Sequence, residues 1–191
     1  MSDIFQILIK SAIVDNVVFI QYLAICPFIG MTSETDKAFG MGVATSFVIL
    51  LATAVTWPIY KLIMIPLHLE FLQTLIFILV IASLVQLVEL FLKKSIPSLY
   101  KSMGVYLALI TTNCAVLGVT INCISKNYNY GQSLVYALGS AIGFIISMVV
   151  MSGVRSRLKT AKVPKAFQGT PILYVAASLL SLAFLGFKGL I

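Results

Sequence analysis

Two of the three cysteines stand in similar apolar pentapeptides, Cys-Pro-Phe-Ile-Gly at 26–30 and Cys-Ala-Val-Leu-Gly at 114–118. Thiolates are soft ligands that suit zinc, cuprous ions and iron–sulfur clusters. Since a 2Fe-2S cluster generally takes four cysteines, Cys26 and Cys114 would supply half of a ligand set. The other half would come from a homologous partner or a second copy. Zinc is less favoured, because the one histidine, His68, is predicted to lie in an outer loop.

The alternative is that the cysteines only fill space in apolar helices. Cysteine often behaves as a small hydrophobic residue, and this is how we interpret Cys123, near the outer end of a predicted span. A disulfide framework is not indicated, since Cys26 and Cys114 are embedded in apolar sequence and the chain is not a small secreted domain. Recurrence of the motif in both halves favours a function for that pair.

The elements that carry these cysteines are predicted membrane spans. The chain has 191 residues, of which 60% are hydrophobic and 10% charged, and its mean hydropathy is +1.07. Apolar runs of about 20 residues, enough to cross roughly 30 Å of hydrocarbon, lie near 4–26, 39–60, 71–92, 99–121, 132–154 and 170–190. We predict an all-α integral membrane protein, a single transmembrane domain over 1–191 with six transmembrane helices. No soluble domain remains to hold a nucleotide or flavin, and no nucleic-acid partner is expected.

The basic residues predict an orientation. Lysine and arginine concentrate in one set of predicted loops, at Lys37, Lys93, Lys94, Lys101, Arg155, Arg157, Lys159, Lys162 and Lys165. The opposite set holds mainly Lys61, Lys126 and Lys188. By the positive-inside rule the first face is cytoplasmic, so both termini would lie outside. The basic run at 155–165 is interpreted as an orientation signal and a lipid-facing anchor.

A second similarity suggests an internal repeat. Gly-Val-Ala-Thr-Ser-Phe-Val-Ile at 42–49 resembles Gly-Ser-Ala-Ile-Gly-Phe-Ile-Ile at 139–146, and each copy carries small residues at the spacing that lets membrane helices approach closely. The repeats would cover approximately 1–95 and 96–191, with three spans each. An odd number of spans makes the second copy enter the membrane from the opposite side. We therefore predict inverted repeats, whose functional sites gather near the midplane on discontinuous helices.

The first and fourth spans are predicted to be broken helices. If Asp15 and Asn16 lie at the outer interface, Cys26 falls about 16 Å deeper at 1.5 Å per residue. Pro27 removes a backbone donor and Gly30 permits irregular backbone, which predicts an extended segment after Cys26. Such backbone at this depth must be buried against protein or line a cavity.

Acidic residues within the predicted spans are secondary candidates. Asp15 and Glu89, with Gln86 one helical turn before Glu89, are the ionisable or polar groups considered for cation coupling. Intramembrane charges are often functional. Both carboxylates are also predicted to lie near an interface, where simple solvation is the competing interpretation.

Four stretches resemble a known family. They are Leu-Ala-Ile-Cys-Pro-Phe-Ile-Gly at 23–30, Leu-Ile-Thr-Thr-Asn-Cys-Ala-Val-Leu-Gly at 109–118, Val-Pro-Lys-Ala-Phe-Gln-Gly at 163–169 and Ser-Leu-Ala-Phe-Leu-Gly-Phe at 181–187. They are similar to the A-type membrane component of the Rnf electron-transport complexes, and the likeness runs essentially the whole length. It extends to the E-type component of the sodium-pumping NADH:quinone reductase, but the Cys-Pro-Phe form looks more like the Rnf branch.

The resemblance implies a six-helix subunit that pairs with the homologous Rnf E subunit in opposite orientation. Two cysteines from each chain would hold one intramembrane 2Fe-2S cluster, here through Cys26 and Cys114. The complex would be an oxidoreductase of the bacterial cytoplasmic (inner) membrane that couples electron transfer between ferredoxin and NAD to Na+ or H+ translocation. Ferredoxin and NAD would act through other Rnf subunits, so this chain would not be catalytic alone. A self-contained secondary transporter with inverted repeats is the rival hypothesis, and a purely structural subunit is the third.

Overall fold

The computed structural model describes residues 2–67, 70–95, 109–110, 112–161, 164 and 167–189, and these form helices and turns without a strand. Seven α-helices of seven residues or more organise this part of the chain. They are α1 (Ser2–Ile9), α2 (Ile25–Met31), α3 (Thr35–Ile59), α4 (Gln73–Ser95), α5 (Cys114–Ser125), α6 (Tyr130–Leu158) and α7 (Thr170–Leu185). A π-helical turn, Lys10–Val14, extends α1. Another, Tyr60–Met64, extends α3.

Three helical stretches in the described residues are long and apolar enough to cross a membrane. They are Thr35–Met64, Gln73–Leu90 and Tyr130–Leu158, which coincide with three of the predicted spans. Shorter apolar helices, Ile4–Val14, Cys114–Ser125 and Thr170–Leu185, overlap the other three. The six-span topology stays a prediction, because residues 99–108 and 111 of the predicted fourth span lie outside the described residues. His68 also lies outside them, so its predicted place in an outer loop stays a prediction.

Helices α3 and α6 pack closely along their length. A methyl group on Gly42 would lie 3.2 Å from the side chain of Ile145. Ser46 donates a hydrogen bond to the Gly42 carbonyl at 2.7 Å and lies 3.3 Å from the Ala141 carbonyl across the interface. The small residues predicted to permit close helix approach therefore do so here.

Glycines of α6 allow the first helix to pack closely against it. A methyl group on Gly143 would lie 2.6 Å from the Ala12 carbonyl oxygen, and one on Gly139 would meet Ser11 and the Leu8 carbonyl. Backbone approaches this close are possible only without a Cβ. They fix the π-helical turn Lys10–Val14 against α6.

The first span is interrupted before Cys26. Helix geometry ends at Val14 and resumes at Ile25, and Tyr22 and Ala24 have the left-handed φ values 55° and 62°. The extended segment predicted after Cys26 is wrong, because α2 runs through Pro27 and Gly30. Pro27 is the third residue of α2, where its missing N–H would have no partner in the helix anyway.

Candidate metal centre

A buried asparagine organises the break. Asn16 is fully buried, and its Oδ1 accepts hydrogen bonds from the backbone N–H groups of Val18 at 3.0 Å and Phe19 at 3.2 Å. Its Nδ2 donates to the Gly143 carbonyl at 3.1 Å. Asn16 is therefore enclosed by protein, and its position near the outer interface stays a prediction. It satisfies backbone groups that a break inside a membrane protein would otherwise leave unpaired.

Cys26 lies in the first turn of α2, just after this break. Its side chain is exposed, whereas the neighbouring Pro27 and Phe28 are buried. Gly30 follows one helical turn later on the same face, and a methyl group there would meet open space. The chain thus presents the Cys26 thiol on a surface of α2 that its own described residues leave uncovered.

Cys114 is the first residue of α5 and is half-buried. The side chain of Asn113 caps this helix by accepting a hydrogen bond from the Ala115 N–H at 3.0 Å. Asparagine is a preferred N-cap residue because its side chain satisfies a free N–H of the first turn. Both cysteines therefore stand at helix starts, one after the break of the first span and one after Asn113.

A hydrogen bond brings the two cysteine segments together. The backbone N–H of Ala24 donates to the sulfur of Cys114 at 2.9 Å. Ala24 comes only two residues before Cys26, so both thiols belong to one place in the fold. Gly118 is close as well, since a methyl group on it would meet the end of the Leu23 side chain.

The donor set fits half of a thiolate-ligated centre. An amide donor on a sulfur and the positive end of α5 both suit a ligand sulfur that shares negative charge with a soft metal. Among the described residues, no group of three or more Cys, His, Asp or Glu side chains gathers to hold a metal. The chain alone therefore offers two thiols at this site, and the exposure of Cys26 leaves it accessible to ligands from outside.

The surroundings of the break exclude water on the protein side. Val17, Val18 and Phe19 are buried, and the Phe19 ring packs edge-on against Phe28 at 5.6 Å between centroids. Ser181 of α7 donates to the Phe19 carbonyl, and its hydroxyl lies 2.7 Å from the Tyr22 hydroxyl. Helix α7 therefore closes one side of the segment that carries Cys26.

The other candidates lie elsewhere. Asp15 accepts a hydrogen bond from the Lys126 ammonium at 2.8 Å, and this forms an ion pair at the end of the first helix. Glu89 is half-buried and Gln86 exposed on α4. Cys123 is a core residue, 2% exposed, with its sulfur 3.8 Å from the Ser133 carbonyl. The structure thus does not place Cys123 with the two-cysteine site.

Sequence reasoning missed three residues that build the site, Asn16, Asn113 and Arg155. The preference of asparagine for N-cap positions could have singled out Asn113, which directly precedes Cys114. The interpretation of Arg155 as a lipid-facing anchor is wrong, since its guanidinium donates to the Ile29 carbonyl of α2 at 2.7 Å. Nothing in local sequence indicated the role of Arg155, because its partner Ile29 is 126 residues away. Asn16 bonds to the nearby N–H groups of Val18 and Phe19, and what local sequence did not indicate is its contact with Gly143, 127 residues away.

The fold and site define a class, the helical membrane proteins with an interrupted helix and a paired-thiol site. Long apolar helices accompany an irregular segment that ends just before one cysteine and donates a hydrogen bond to the other. The comparison with known families then identifies the group. The chain belongs to the Rnf-Nqr family of membrane protein subunits, whose model matches residues 4–191.

Relatives with full-length similarity are named as components of one kind of complex. The chain is 48% identical over 191 residues to the A component of the ion-translocating oxidoreductase complex of Syntrophotalea carbinolica, covering 100% of this chain and 99% of the relative. It is 50% identical over 184 residues to the A component of the Na(+)-translocating ferredoxin:NAD(+) oxidoreductase complex of Acetobacterium woodii, covering 96% of each. The resemblance to the A-type component is therefore confirmed.

Proposed function

We propose that this chain is the A-type membrane subunit of an ion-translocating oxidoreductase complex and relays electrons within the bilayer. Cys26 and Cys114 supply two of the four thiolates of a 2Fe-2S cluster that this subunit shares with a homologous partner. The hydrogen bond from Ala24 to the Cys114 sulfur is the observation that carries this proposal. It brings together the only cysteines that stand in matching motifs.

The residues of the site stabilise charge on sulfur, support the irregular backbone and exclude water. The Ala24 N–H and the start of α5 stabilise negative charge on Cys114. Asn16 holds the irregular backbone that leads to α2, and the buried Val17–Phe19 segment keeps water from one side. When bound, a 2Fe-2S cluster takes up one electron and passes one on, with no bond made or broken in the protein.

The exposure of Cys26 supports a shared site. A buried thiol pair would suit a complete internal centre, but the Cys26 side chain is exposed and Gly30 faces open space. A homologous subunit in opposite orientation, the Rnf E type, would bring an equivalent pair of thiols to this surface. Reciprocal packing supports an internal repeat, since α3 of the first half packs on α5 of the second, and α6 of the second packs on α1 of the first.

The names of the relatives support the wider setting. Acetobacterium woodii has a relative named for Na+ translocation with ferredoxin and NAD. By analogy, ferredoxin and NAD react at other subunits of the complex, and electron flow is coupled to movement of Na+ or H+ across the bacterial cytoplasmic membrane. The distribution of basic residues among the predicted loops supports an orientation with both termini outside.

The experiment uses the purified complex with single serine variants. Cys26→Ser and Cys114→Ser are each expected to abolish the cluster signal in electron paramagnetic resonance, to lower acid-labile sulfide and to stop ferredoxin-dependent NAD reduction. Cys123→Ser is the matched control and should retain all three, because Cys123 packs in the core away from the site.

Two results would overturn the proposal. One is retention of sulfide and activity in both Cys26 and Cys114 variants of an intact complex, which would favour a structural subunit. The other is ion flux from the chain reconstituted alone that does not respond to redox state. That flux would favour the secondary transporter.

A further inference from the structure

Arg155 of α6 binds the end of the short helix that carries Cys26. Its Nη1 donates to the Ile29 carbonyl at 2.7 Å and lies 3.4 Å from the Thr32 hydroxyl. Thr32 is fully buried and donates in turn to the Phe28 carbonyl at 2.7 Å. One guanidinium therefore reaches the last turn of α2 both directly and through Thr32.

Neighbouring residues of α6 fasten the segment that follows α2. Lys159 donates to the Ser33 carbonyl at 3.2 Å, and the Ser152 hydroxyl lies 3.2 Å from that of Thr35 at the start of α3. The contact made by Arg155 is the one that acts on α2 itself. Arg157, two residues further along α6, has an exposed side chain, which makes it a matched comparison.

The position of Arg155 has two physical consequences for Cys26. The last carbonyls of a helix lack partners and carry partial negative charge, so a cation there is stabilising. Since α2 has only seven residues, fixing its end fixes the direction of its whole axis. Ile29 is three residues after Cys26, about 4.5 Å along the axis at 1.5 Å per residue, so the guanidinium binds α2 within one turn of the residue that carries the thiol.

We propose that Arg155 is a positioning residue for Cys26, which holds α2 in place and keeps a positive charge beside the redox centre. This inference rests on the proposed function for its electrostatic part. A nearby cation stabilises the reduced, more negative state of the centre, so Arg155 raises its reduction potential. The positional part concerns the chain alone and needs no cluster.

The first test measures thiol reactivity in the full chain expressed without partner subunits. N-ethylmaleimide is the probe, and peptide mass spectrometry identifies the modified cysteine. Arg155→Gln is expected to speed modification of Cys114, because the Ala24 segment that covers its sulfur belongs to the same tethered unit. Arg155→Lys should restore part of the protection, and Arg157→Gln should behave as the parent chain.

The second test is a redox titration of the intact complex followed by electron paramagnetic resonance. At a fixed applied potential, Arg155→Gln should lower the ratio of reduced to oxidised centre on the order of tenfold. For a one-electron couple this corresponds to a reduction potential about 59 mV lower. Arg155→Lys keeps the charge and should stay near the parent potential. Arg157→Gln should not shift it, because its charge lies outside the contacts with α2.

The outcomes separate this inference from the proposed function. If Arg155→Gln matches Arg157→Gln in both potential and thiol reactivity, Arg155 does not position Cys26. A changed reactivity with an unchanged potential would reject the electrostatic part. If the parent complex lacks iron and sulfide, the proposed function and the electrostatic part fail together, and thiol reactivity alone decides the positional part.

Discussion

The backbone N–H of Ala24 points at the sulfur of Cys114, 2.9 Å away, although 90 residues separate them in the chain. Ala24 is fully buried and adopts a left-handed conformation with φ of 62°. That conformation aims the N–H at the sulfur and starts α2 in the direction that presents Cys26. The geometry of one residue thus links both thiols.

Ala24 gives a test of this backbone. Ala24→Gly should retain the hydrogen bond and cluster content, because glycine adopts positive φ without steric cost. Ala24→Val should lose about 1–2 kcal/mol or more of stability, since a side chain with a branched Cβ clashes in this region. Thermal unfolding in detergent measures the stability of each variant, and the iron content of the complex measures its cluster content. Equal behaviour of the two variants would contradict the role given to this conformation.

Asn16 should be among the most sensitive polar residues of the chain. Asn16→Leu would leave the N–H groups of Val18 and Phe19 buried without acceptors, at a cost of about 3 kcal/mol. Asn122, which donates to Gln21 at 2.9 Å in a half-buried position, is the matched control. Asn122→Leu should cost only about 1 kcal/mol. Similar unfolding midpoints for the two variants would count against the role assigned to Asn16.

Gly143 should tolerate no side chain. In Gly143→Ala the new methyl group would lie 2.6 Å from the Ala12 carbonyl, a backbone atom that moves only if the first helix shifts. We expect a loss of about 1–3 kcal/mol. Gly153 lies on the same helix with open space around it, so Gly153→Ala should be neutral or stabilising by up to about 1 kcal/mol. Unfolding in detergent distinguishes them, and an equal response would show that α1 and α6 are less tightly packed.

The Asp15–Lys126 pair predicts a weak pH dependence. Burial disfavours the charge on Lys126, but the hydrogen bond to Asp15 and nearby charges outweigh it, and the pKa of Lys126 is raised above its ordinary value of 10.5. A raised lysine pKa stabilises the fold fully below the unfolded value and loses this effect as pH rises through the folded one. Since both side chains are partly exposed, Asp15→Asn should cost about 1 kcal/mol or less at neutral pH. A cost that did not decline above about pH 10.5 would contradict the ion-pair explanation.

Gly30 tests whether a partner approaches the surface beside Cys26. In the chain alone Gly30→Leu meets open space and should not lower the unfolding temperature. If a homologous chain packs there, the added side chain should reduce both the copurification of that partner and the cluster content. Gly153→Leu, also into open space, should leave both unchanged. Full assembly of the Gly30 variant would show that the partner binds elsewhere.

Much of the helical framework was predictable because apolar length is a local property. Predicted spans at 39–60, 71–92 and 132–154 coincide with α3, α4 and α6, and a matching motif picked out Cys26 and Cys114. The break was predicted in the right span but in the wrong place. Pro27 and Gly30 looked like helix breakers, yet Pro27 lies in a first turn where its missing donor costs nothing.

The sequence by itself determined that this is a helical membrane protein, which family it belongs to and which two thiols to examine. Hydropathy, spacing and motif similarity depend only on the order of residues along the chain. Only the tertiary structure decided where the first helix stops and what holds α2 in place. Asn16 bonds to Gly143 and Ser147, 127 and 131 residues away, and Arg155 bonds to Ile29, 126 residues away. Buried polar groups must find partners wherever the fold supplies them, so these long-range contacts are settled by packing and not by neighbours in sequence.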